Sequence, residues 1–90
     1  MSDKYIWIIQ SSENLNIIGC FINKNDAEQY ILENKLKCML TRYPVDITIY
    51  DWVIKNELWL PKNDLQKNSK FRARFSSAYL EHHHFFQEES

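Results

Sequence analysis

Ninety residues with 44% hydrophobic and 14% aromatic content suffice for one small domain with a core, and exclude wholesale disorder. A formal net charge of −1 excludes a chain-wide pull toward nucleic acid or anionic membrane. Cys20 and Cys38 lie in apolar runs without CxxC spacing, which predicts reduced, buried thiols and no disulfide scaffold.

Met1-Ser2-Asp3-Lys4 lacks an apolar signal core, and no apolar run approaches the roughly 20 residues of a membrane span. The expectation is a soluble, cytoplasmic protein, a single domain over 1–90, with no membrane partner.

Lys4 to Gln10 alternates Tyr5, Trp7 and Ile9 with Ile6 and Ile8. Both faces are apolar, which predicts a strand that is central or covered on both sides. Ser11 to Asn14 is a turn cluster, and Leu15 to Ile22 reads as the second strand of a hairpin. Its Gly19, the only glycine, marks a bulge or a close backbone approach. A helix then opens at Asn23 as N-cap, with Asp26 at N3 and an Ile22–Ala27 hydrophobic staple. Ala27, Tyr30, Ile31 and Asn34 follow its inward face, leaving Glu28, Gln29, Glu33 and Lys35 to solvent.

Cys38 to Thr41 reads as a short third strand stopped by Pro44, which pushes Tyr43 into extended geometry. Thr48-Ile49-Tyr50-Asp51 fits a capping box with Asp in place of Glu and opens a second helix. Tyr50, Val53 and Ile54 point inward there, and Asn56 suits a left-handed C-terminal position. Trp59-Leu60-Pro61 closes the unit and Lys62 to Ser69 is a polar surface loop. Phe71, Phe75 and Tyr79 fit a helix capped by Ser69, while Phe71, Ala73 and Phe75 also alternate as in a strand. The favoured assignment is a short helix, then a strand from Glu81 to Phe86. The fold class is α+β: a small antiparallel sheet of the N-terminal hairpin plus later strands, with two or three helices packed on one face.

Chemistry-bearing residues are few. His82 and His84 would share one face of a strand and Glu81 and His83 the other, short of the three or four ligands of a zinc site. A metal or small-ligand site at Glu81, His82 and His84 is therefore only the alternative, and no cofactor is expected. Lys62, Lys67, Lys70, Arg72 and Arg74 face a single acid, Asp64, across one segment. Phe71 and Phe75 interleave with these cations as base-stacking residues would, making a nucleic-acid binder the second alternative. With no RNP-like string or helix-turn-helix, the cations read better as a docking surface for an acidic protein. Asp46 in a turn and Asp51 in a cap have structural roles, and no Ser or Cys has a nearby base, so no enzyme is expected. Trp7, Trp52 and Trp59, with Tyr5, Tyr43 and Tyr50, are mostly core material. Thirteen aromatics exceed what so small a core hides, so one or two remain as interface anchors.

With these residues laid out, the chain resembles a family of short bacterial proteins carrying an uncharacterised domain. The resemblance spans Trp7, Gly19-Cys20-Phe21 and Ala27 to Ile31, and is most specific over Leu40-Thr41-Arg42-Tyr43-Pro44-Val45-Asp46 and Tyr50-Asp51-Trp52. Arg74 to Ala78 and Glu81-His82-His83-His84-Phe85 complete it and mark the histidines as native. Glu57 stands where relatives place glycine, and Phe85 where they place tyrosine. The resemblance implies an intact domain and no particular activity. The expected function is noncovalent protein binding, in its finer form an immunity-type neutraliser of a toxin domain, with Lys67, Lys70, Arg72, Arg74 and Trp59 as contact residues.

Overall fold

Alternating apolar residues place Tyr5–Ser11 (β1) at the centre of a four-stranded sheet. Its partners are Ile17–Phe21 (β2), Cys38–Pro44 (β3) and His82–Phe85 (β4), in the order β2-β1-β3-β4. Every pairing is antiparallel. Helices Lys24–Glu33 (α1), Ile49–Lys55 (α2) and the single turn Ser69–Arg72 (α3) complete the α+β architecture, with 3-10 turns at Asp64–Lys67 and Ser77–Tyr79. The computed structural model describes residues 4–75 and 77–86, without the side chains of Phe71 and Ser77. The sequence readings of Met1 to Asp3, Ser76 and the Phe71 side chain lie outside the described residues.

The core follows from register. Ile9 lies opposite Leu40, and Cys38 opposite Phe85, so these side chains share one face with Trp7. Ala27 and Ile31 of α1 close over that face, and Trp7, Ile9, Cys38 and Leu40 are buried beneath them. Removing a side chain such as Ile31 would cost about 2–5 kcal/mol. On the other face Thr41 and Leu80 are also buried, but Ile6 and Ile8 are only half-buried and Cys20, opposite Ile8, is exposed. β1 is thus central, the first of the two expected alternatives, and of the two thiols expected to be buried only Cys38 is.

The hairpin loop is longer than its turn cluster implies. Ser11 still pairs with Cys38, and its amide donates to the Asn16 carbonyl (2.8 Å). Leu15, expected in a strand, instead adopts φ 62° at the loop's end. The expected bulge is present: Ile9 pairs with Gly19 and Gln10 with Ile17, leaving Ile18 over. β3 runs three residues past Thr41, because a proline at the strand's last position loses no interior ladder bond.

Local caps set the helix starts. Asn23 accepts the Asn25 amide (2.8 Å), and the Thr48 hydroxyl oxygen accepts the Asp51 amide (3.0 Å). The staple does not form: Ile22 is 86% exposed although Ala27 is buried. Tyr30, read as inward, is largely exposed at the rim, where its ring tilts against Phe21 (6.0 Å). At the C-terminus of α2 the left-handed residue is Glu57 (φ 57°), and Asn56 keeps φ −92°. The Leu58 amide reaches the Val53 carbonyl and the Glu57 amide that of Ile54, so residue 57 occupies the glycine position of a Schellman motif. Lys35 (φ 51°) ends α1 in the same way, with Leu36 bonded back to Ile31. Helix α3 starts from Asn68, whose carbonyl accepts the Arg72 amide, so Ser69 is its first residue and not its cap.

Candidate functional site: the basic aromatic segment

Tyr50, 2% exposed, is the post against which the basic segment is braced. Its hydroxyl donates to the Gln66 carbonyl (2.8 Å), fixing the 3-10 turn that Asn63 caps through the Gln66 amide (3.1 Å). The Lys62 amide in turn donates to the Gln66 side-chain oxygen (2.7 Å). Trp59 and Phe75 meet the Tyr50 ring edge-on at 5.9 and 5.2 Å, and Tyr79 stacks on Phe75. What reads as a polar surface loop is thus a turn pinned from behind by aromatic packing. Among the larger aromatics only Trp7 and Tyr50 are core, whereas Tyr5, Tyr43, Trp52 and Trp59 are half-buried. Trp52 keeps a partner for its indole N–H, the Tyr5 hydroxyl at 3.3 Å.

The five expected contact residues separate into four kinds. Arg72 is committed internally. Its guanidinium lies 4.4 Å from the Tyr50 ring centre, Nε donates to the Lys67 carbonyl (2.9 Å) and one terminal nitrogen meets Asp51 (3.3 Å). Lys67 pairs with Asp64 at 3.8 Å, an exposed contact of little energetic weight. Trp59 fills the aromatic cluster with only part of its surface free. Lys70 and Arg74, four residues apart, line an open cavity of about 270 Å³ together with Leu65 and Asn68. Among the described residues neither cation has an ion-pair partner, and Leu65 beside them is 74% exposed. Leu58, Leu60 and Tyr79 are exposed on the same segment.

Asp51 carries a role that the capping pattern alone does not reveal. One carboxylate oxygen receives the Thr48 hydroxyl (2.9 Å) while the other holds Arg72, twenty-one residues away. The cap of α2 and the tether of the basic segment are one group. Asp46 takes the left-handed conformation (φ 63°) of a turn residue.

The histidine strand divides as alternation requires. His82 and His84 lie together with ring centres 5.3 Å apart, and His84 stacks on Phe86. His82 Nδ1 donates to the Leu80 carbonyl (2.8 Å), since a carbonyl only accepts. Glu81 sits on the other side, accepting from His83 Nε2 (2.9 Å) and pairing with Lys24 (3.7 Å) and Arg42 (3.9 Å). The His83 hydrogen bond, aided by the charges of Arg42 and Lys24, holds the Glu81 carboxyl below the usual glutamate range against the opposing effect of burial. Glu81 is thereby split from His82 and His84, and among the described residues no group of three His, Cys, Asp or Glu gathers for a metal ion. The Lys24 and Arg42 cations also lie over the Trp7 and Tyr5 rings, at 5.3 and 4.1 Å, so this cluster ties α1, β3 and β4 together.

Fold and site together define a small α+β domain that presents a braced, cationic and apolar surface. Residues 6–90 match the model of a family described as a domain of unknown function, DUF7710, and the chain belongs to that family. No curated protein and no solved structure gives a significant match. Among the described residues no helix is long and apolar enough to cross a membrane.

Proposed function

We propose that this chain is a noncovalent protein-binding module acting in the cytoplasm, and that the segment from Leu58 to Tyr79 is its contact surface. The observation that carries the reading is the pair Lys70 and Arg74, unpaired among the described residues, at a cavity beside the exposed Leu65. Lys24 and Arg42 are matched by Glu81, Lys67 by Asp64 and Arg72 by Asp51; Lys35, Lys37, Lys55 and Lys62 also lack an ion pair among the described residues, and what sets Lys70 and Arg74 apart is their shared cavity beside Leu65. Two unmatched charges around an apolar side chain fit an acidic partner, whose approach they would steer. The rigid aromatic support lowers the ordering cost of binding. In its finer form the partner is a toxin domain and the module an immunity protein, a role that a small binding fold can fill.

The test is affinity capture from the native cell with two baits, the unmodified chain and a Lys70→Glu/Arg74→Glu double variant of unchanged thermal stability. A partner retained by the first bait and lost from the second is expected. Equal retention by both baits overturns this surface. For the finer reading, co-expression should relieve the captured protein's toxicity, and an innocuous partner overturns it.

A further inference from the structure

β2 is an edge strand that lacks the usual charge protection. From Asn14 to Asn23 the chain carries no charged residue and no proline, and β2 lies at one end of the sheet, where among the described residues one row of its backbone groups has no strand partner. Ile17 is 57%, Ile18 40% and Ile22 86% exposed along it. The opposite edge, β4, is only four residues long and begins beside the charged Glu81 cluster. Natural edges are blunted by charge, proline or shortness, because an open strand otherwise recruits another. The bulge at Ile18 twists β2 without placing a charge on it.

We propose that the protein self-associates by antiparallel pairing of β2 with β2 of a second copy across a two-fold axis, joining two four-stranded sheets into one continuous sheet. Three features favour a second copy over a foreign strand. A two-fold axis sets the middle of each strand against the middle of its copy, so a charge at the centre of β2 would meet its like, and there is none. Glu13 and Lys24 flank the uncharged run with opposite signs, and antiparallel pairing brings the Glu13 end of one copy to the Lys24 end of the other. Leu15, 69% exposed at one end of the run, is carried toward Ile22 of the other copy and the apolar cavity that Ile22 shares with Tyr5, Ile6 and Val45. Each exposed apolar end thus finds the other, twice. This surface is separate from the Lys70–Arg74 cavity and stands or falls without it.

Sedimentation of the full chain from micromolar to millimolar concentration tests the proposal, under reductant so that the exposed Cys20 cannot link copies covalently. Reversible dimerisation is expected, and Ile17→Lys or Ile22→Lys should weaken it by about tenfold or more. In the unmodified protein, amide exchange across Ile17–Phe21 should slow as concentration rises, a readout independent of whether a variant folds. A monomer at every concentration overturns the proposal. A dimer whose β2 exchange is independent of concentration, or one indifferent to both lysine substitutions, overturns it equally.

Discussion

Truncating Tyr50 should loosen the whole C-terminal segment. Its ring is 2% exposed and touches Trp59, Phe75 and the Arg72 guanidinium, while its hydroxyl holds the Gln66 carbonyl. Loss of a buried aromatic ring to alanine costs about 3–5 kcal/mol. The hydroxyl alone accounts for a net 0.5–1.5 kcal/mol or so, the usual worth of a neutral hydrogen bond. Tyr50→Phe should therefore lie near 1 kcal/mol, and Tyr50→Ala at roughly four times that. Urea unfolding followed by circular dichroism measures both, and amide exchange over residues 62–75 locates the loss. A cost for Tyr50→Ala below about 1.5 kcal/mol, or one equal to that of Tyr50→Phe, would refute the bracing role.

Glu57→Gly should stabilise by about 0.5–1 kcal/mol, the left-handed strain of a Cβ less the extra chain entropy of glycine, read as a raised unfolding midpoint. Glu81→Gln should destabilise by less than about 1 kcal/mol at neutral pH, since the group is well exposed. The Glu81 carboxyl is depressed in the folded state, so its contribution is full above the ordinary glutamate pKa and fades as pH falls through the depressed value. The variant should thus converge with the parent in acid, and a pH-independent difference would contradict the Glu81–His83 bond. Alkylation of the native protein should modify Cys20 and spare Cys38, whose thiol is fully buried and has its pKa raised by that burial. Equal labelling rates would contradict the placement of β3.

Local signals were legible in the sequence and tertiary ones were not. Asn23 and Thr48 cap their helices because an N-cap is decided within four residues. The antiparallel sheet, the bulge beside Gly19 and the short final strand likewise follow from alternation and punctuation. Ile22 escaped because a staple needs the chain to turn back over Ala27, and the course of β2 leaves Ile22 facing solvent. Asn56 and Glu57 were exchanged because a shift of one residue at a helix end changes which residue is left-handed. In the candidate site, charge counting overcounts the free cations of the basic segment. Arg72 is consumed by Asp51, twenty-one residues distant, and Lys67 by Asp64, leaving Lys62, Lys70 and Arg74 without an ion pair among the described residues, of which Lys70 and Arg74 share a cavity. No periodicity carries the Asp51–Arg72 pairing, which exists only because Tyr50 brings the segment back over α2.

The most direct test of the binding surface is the association rate with the captured partner, measured over a range of ionic strength. The unmodified chain should associate more slowly as salt rises, and Lys70→Glu/Arg74→Glu should slow it by about tenfold at low salt with an unchanged unfolding midpoint. An association rate indifferent both to salt and to the reversal would contradict the assignment of Lys70 and Arg74 to the interface.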